Sequence, residues 1–147
     1  MLKTFLIFFL AIYNSYAAAQ SEPYFLKGCP YIQLTGKVES STLPGAPNYE
    51  SINNGDCPSE RWFLSPNEES KKYLRDSGVF EKIPENYRPI LEDWKDRINS
   101  IQLAADGEIE NEFAKRRNQE LTLEGWLGSW DTHCYSLFFF EVDKIRN

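Results

Sequence analysis

Apart from the first nineteen residues, the most apolar run of the chain is Cys134–Val142, in which Leu137, Phe138, Phe139 and Phe140 follow one another without a polar break. Aromatic residues and Val favour extended backbone, and a run of this length suits a strand better than a helix. Side chains of a strand alternate in direction, so Leu137 and Phe139 point one way and Phe138 and Phe140 the other. A strand apolar on both faces must be covered on both faces. The pattern therefore predicts a central strand.

Leu121–Leu127 reads as the strand before it, joined across Gly128–His133 in an antiparallel hairpin. Tyr31–Val38 alternates weakly, with Tyr31, Gln33 and Thr35 against Ile32, Leu34 and Val38, as in a strand with one buried face. Residues 39–60 break every period and are dense in turn formers, which predicts a long loop. Ser65-Pro-Asn-Glu68 has the form of a capping box, predicting a helix over 66–76 that ends at Ser77-Gly78. Ile90, Leu91, Trp94, Ile98 and Ile101 form one helical stripe, predicting a second helix over 89–104 with Gly107 as its stop. Ile109 and Phe113 begin a third, weaker helical pattern in Glu108–Glu120. These elements predict an α+β fold: a small antiparallel sheet with a C-terminal hairpin, packed against two or three helices.

One internal echo supports a different fold. Trp94-Lys-Asp-Arg-Ile-Asn-Ser100 and Trp130-Asp-Thr-His-Cys-Tyr-Ser136 share a Trp and a Ser six residues on, each followed by an aliphatic residue. Asp96-Arg-Ile-Asn-Ser100 resembles the end of the calcium signature of βγ-crystallin-like domains. That resemblance implies an all-β sandwich, with 97–113 a hairpin turning at Asp106-Gly107. Lys95 and Asn99 depart from the signature, as does Thr132 in the second copy, and the five-position helical stripe outweighs it.

The N-terminus adds a location. Lys3, the apolar Phe5–Ile12 and the small residues up to Ala19 have the form of a secretory signal peptide over 1–19, leaving a single globular domain over 20–147. The apolar run is about half the ~20 residues of a membrane span. Extracellular localisation follows as an expectation.

Charge narrows the partners. The chain has 16 Lys and Arg against 22 Asp and Glu, a net charge of −6. Nucleic acid and anionic membrane surfaces are poor partners for such a chain, since binding them means neutralising their negative charge. A basic partner fits better.

Three cysteines, Cys29, Cys57 and Cys134, predict one disulfide and one odd thiol in an oxidising compartment. A Cys29–Cys57 bridge is the easiest to close. Pairing with Cys134 instead would pin the N-terminal segment to the central strand, and the spacing leaves both open. The odd cysteine allows either a monomer or a disulfide-linked dimer.

Little of the chain resembles catalytic machinery. His133 is the only histidine, which removes sites built on two imidazoles, and no cofactor or metal motif is present. The aromatic residues Trp126, Trp130 and Tyr135 gather at the expected hairpin end beside Gly125 and Gly128. Such a group can form a binding lip for a protein side chain or a sugar ring. The expectation is a secreted, non-catalytic binding protein with an extracellular protein or carbohydrate partner, similar in format to small secreted effectors. The alternative is a small secreted hydrolase using Glu residues and His133.

Overall fold

The structure, a computed structural model, describes residues 27–41, 60–85, 98–128 and 139–146. Its strands are β1 (Tyr31–Ser41), β2 (Arg61–Pro66), β3 (Ile101–Ala104), β4 (Glu120–Gly128) and β5 (Phe139–Arg146), and its helices are α1 (Glu68–Asp76) and α2 (Gly107–Lys115). A short 3₁₀ turn, Phe80–Lys82, follows α1.

The strands close into a barrel in the order β1-β2-β3-β5-β4. β1, β2 and β3 form an antiparallel meander, and β4 returns to pair with the outer side of β1. That is Greek-key connectivity. β5 fills the remaining gap, parallel to β3 and antiparallel to β4. A five-stranded Greek-key barrel is also the architecture of OB-type domains. A shared architecture places strands and says nothing of a ligand.

Barrel closure relies on two glycines. Residues 31–37 of β1 pair with β4 and residues 36–41 with β2, so the strand changes partner at Gly36, which faces both Pro66 and Leu121. A Cβ at Gly36 would collide with the Ser65 carbonyl oxygen. Gly125 lies against the Glu141 carbonyl in the same way, where Asp143 is the extra residue of a bulge in β5 opposite Glu124 and Gly125. Bulges and glycines of this kind bend a sheet sharply enough to close it.

Inside the barrel lie Leu34, Val38, Leu64, Ile101, Leu103, Leu121, Leu123, Phe140 and Val142, all buried. The helices cover openings left by the strands. Phe113 of α2 packs on Trp62, ring centroids 5.6 Å apart, at the end where β2 begins. Leu74 of α1 and then Val79, Phe80 and Ile83 join the same core from the end where β2 finishes.

The expected α+β arrangement is corrected. The described residues are mostly sheet, and the sheet closes on itself as a barrel. The second expected helix fails at its C-terminal part: Ile101–Ala104 is strand β3. All four of its residues are buried, because β3 sits between β2 and β5 with its outer side against Phe139 and Trp126. A short run buried on both faces has no strand alternation, and it mimicked the continuation of a helical stripe. Residues 89–97 of that stripe lie outside the described residues.

Gly107, expected as a helix stop, begins α2. The Asp106 carboxylate caps it, accepting from the main-chain N–H of Glu108 and Ile109 at 2.9 Å each. This also rules out the hairpin that the βγ-crystallin resemblance implied there. The first helix starts slightly later than expected, since Ser65 and Pro66 still pair with β1 and Asn67 is the cap. Phe139 and Phe140 are both buried, on opposite sides of β5, which lies between β3 and β4. The signal-peptide segment 1–19, most of the 39–60 loop and the turn of the expected C-terminal hairpin fall outside the described residues.

Candidate functional site

The parity of β1 determines which edge each of its main-chain groups faces. N–H and C=O groups of alternate strand residues point to opposite edges. Val38 exchanges hydrogen bonds with the segment leading into β4: its N–H donates to the Gln119 carbonyl at 3.2 Å, and its carbonyl accepts from Asn118 at 2.8 Å. Even-numbered residues of β1 therefore face β4, and odd-numbered ones face the β2 side.

On that side β2 leaves at Pro66, and the N-terminus of α1 takes its place. Thr35 N–H donates to the Ser70 hydroxyl at 2.8 Å, and the Thr35 carbonyl accepts from Asn67 N–H at 2.9 Å. Asn67 also caps the helix, its side-chain oxygen accepting from Ser70 N–H at 3.0 Å. Two residues earlier no described residue takes over. The main-chain groups of Gln33 and Tyr31 that face this edge make no hydrogen bond among the described residues.

The open edge adjoins a cleft of about 210 Å³, lined by Gln33, Thr35, Glu69, Ser70 and Tyr73. Tyr31 and Tyr73 are the large apolar side chains that stay exposed among the described residues, at 44% and 39%. Glu69, exposed in the first turn of α1, has no ion pair among the described residues.

Beyond Tyr31 lies a closed polar network on the outer face. The Tyr31 hydroxyl donates to Asp143 at 2.7 Å and lies 3.5 Å from Glu124. Partial desolvation, and then the bond to Asp143, push the phenol upward. Glu124 is held by Arg146 at 2.5 Å and Lys144 at 3.0 Å, and the Arg146 hydrogen bond is the chief reason its carboxyl sits below the usual range. Donors and acceptors answer one another here, so the network positions Tyr31 and offers no unengaged acid or base.

Of the aromatic residues expected to form a lip, Trp126 is on β4, buried among Cys29, Ala104 and Phe139. Its ring meets Tyr31 edge-on, centroids 5.0 Å apart at 75°. Tyr31 is the exposed member of that pair. Trp130 and Tyr135 lie outside the described residues, as do His133, Cys57 and Cys134. Cys29 is buried beside Trp126, and the pairing of the three cysteines falls outside what is described.

Glu141 stands apart. It is half-buried on β5, opposite Trp126 and Ala104, and burial, with a contribution from the Asp106 charge, raises its carboxyl to about 7. Among the described residues no group of His, Cys, Asp and Glu could hold a metal ion. Nor is any described helix long and apolar enough to cross a membrane.

Sequence reasoning did not single out Gln33, Glu69 or Tyr73. The alternation of Tyr31, Gln33 and Thr35 marks a polar face, but an open edge is a property of the neighbouring strand's departure. Comparison with protein-family models, with curated proteins and with solved structures found no match.

Proposed function

We propose that this is an extracellular, non-catalytic binding protein that takes its ligand on the outer side of β1, in the cleft against α1. The observation behind this reading is the combination of main-chain groups at Gln33 that have no partner among the described residues with the adjoining cleft and the exposed ring of Tyr73. Convergent polar groups beside an aromatic surface in a concavity are common to small-ligand and peptide sites. The signal-like N-terminus supports an extracellular setting, and the acidic net charge favours a neutral or basic partner over nucleic acid.

The test compares three immobilised proteins in the fluid that surrounds the secreting cell: wild type, a Glu69→Gln/Tyr73→Ser double variant, and Lys115→Ala as a control on α2. Both variants carry substitutions only at exposed positions, so all three proteins should melt alike. Material captured by wild type and by Lys115→Ala, but lost from the double variant, supports the reading. Equal capture by all three contradicts it.

A hydrolase reading draws on one observation, the Glu141 carboxyl raised to about 7, where a carboxylic acid can donate a proton near neutral pH. A hydrolytic activity that Glu141→Gln abolishes without lowering the melting temperature would favour it.

A further inference from the structure

We propose that the ligand is an extended peptide segment carrying a basic side chain, added as a short strand to the open edge of β1 at Tyr31 and Gln33. This rests on the binding reading above and names its ligand class.

The geometry is that of a strand position that no described residue fills. β2 pairs with β1 only as far as Gly36↔Pro66. Had it continued, its next residues would have met Thr35, Gln33 and Tyr31. At Thr35 the Asn67 N–H and the Ser70 hydroxyl fill the place of the missing strand, so the vacancy has a definite end. From there outward, Gln33 and Tyr31 present N–H and C=O groups two residues apart, roughly 7 Å along the strand. An incoming extended chain repeats its own donors and acceptors at the same interval. Main-chain hydrogen bonding to a sheet edge is a general mode of peptide recognition, with specificity supplied by flanking side chains.

The flanks suggest which side chains. Tyr73 and Glu69 rise from α1 along the cleft, and Glu69 has no cation of its own among the described residues. At the far end, Tyr31 is oriented by Asp143 and by the edge of Trp126. A Lys or Arg of the peptide would answer Glu69, and the net charge of −6 adds long-range attraction. A sugar could stack on Tyr73 but has no need of the ladder spacing, so the peptide is the better match. Water can also satisfy a short exposed edge, and the experiment must separate that case.

The probe is acetyl-Thr-Val-Lys-Val-Thr-amide, titrated into the ¹⁵N-labelled whole protein. Companion peptides carry N-methyl groups on both Val residues, or Glu in place of Lys. The parent peptide is expected to shift the Tyr31 and Gln33 amides and slow their exchange at least tenfold at saturation, and both companions to bind at least tenfold more weakly. Gln33→Pro removes an N–H that the barrel does not use and should fold normally while losing the peptide. Equal affinity for parent and N-methyl peptides, shifts confined to other surfaces, or no binding at millimolar concentration overturns the proposal, as does undiminished binding by Gln33→Pro. Pentameric oligosaccharides that shift these amides when the peptide does not would overturn the peptide class and leave the binding reading standing. Concentration-dependent shifts of the same amides without any peptide would make a second copy of the chain the occupant, again overturning it. The binding reading itself fails only if the cleft double variant captures as wild type does.

Discussion

The main-chain N–H of Thr35 donates to the side-chain hydroxyl of Ser70 at 2.8 Å, so a helix side chain replaces a strand at the point where β2 departs. Ser70 is buried, and its own N–H is held by Asn67. Ser70→Ala should therefore cost about 1–2 kcal/mol by leaving the Thr35 donor unmet. Asn67→Ala should cost ~1 kcal/mol, as for a lost helix cap, because its main-chain bond to the Thr35 carbonyl survives. Urea denaturation of the two variants measures both.

Closure of the barrel predicts a contrast among glycines. Gly36→Ala and Gly125→Ala each drive a methyl group into a partner strand's backbone, and each should destabilise by roughly 3 kcal/mol or more. Gly107→Ala places its methyl group in open space at the start of α2 and should change stability by no more than ~1 kcal/mol. Thermal melts of the three variants decide it. Similar losses at all three would mean the strands do not approach as described.

Ile98 shows how far the chain could be read in advance. Its burial was legible from its place in an apolar stripe, and Ile98→Asp should still cost ~3 kcal/mol or more for a charge in the core. The element was not legible. Ile98 precedes β3, whose burial on both faces depends on Phe139 and Trp126, distant in sequence, and no local period reports that. Phe139-Phe140 signalled a strand covered on both sides because both of its faces are apolar in the sequence itself. The open edge at Gln33 was invisible for a related reason, since it exists only because β2 turns away at Pro66. Asp106 and Gly107 are turn formers in any reading, and only the tertiary setting makes Asp106 a cap instead of a hairpin corner.

Glu141 predicts a pH dependence with a definite sign. Its folded value of about 7 lies above the ordinary 4.5, so between those values the folded protein holds a proton that the unfolded chain releases. Stability then falls as pH rises through that window and stays low above it. The shift has a ceiling near 3 kcal/mol, and partial solvent access reduces it to roughly 1–2 kcal/mol. Glu110, raised by burial and by Asp106, acts with the same sign and remains in the variant. Melting temperatures at about pH 5 and pH 8 should differ less for Glu141→Gln than for wild type. An identical pH response in the two proteins would contradict the burial of this carboxyl.

The parity of β1 underlies both the cleft and its proposed ligand, and residue-resolved amide exchange in the unliganded protein tests it most directly. Ile32, Leu34 and Gly36 face β4, and Thr35 is held by Ser70, so these four amides should exchange slowly. Tyr31 and Gln33 should exchange orders of magnitude faster, close to the rate of an exposed chain. Slow exchange at Gln33 equal to that of Leu34, or fast exchange at Leu34 with protection at Gln33, would show that the edge is closed or faces the other way.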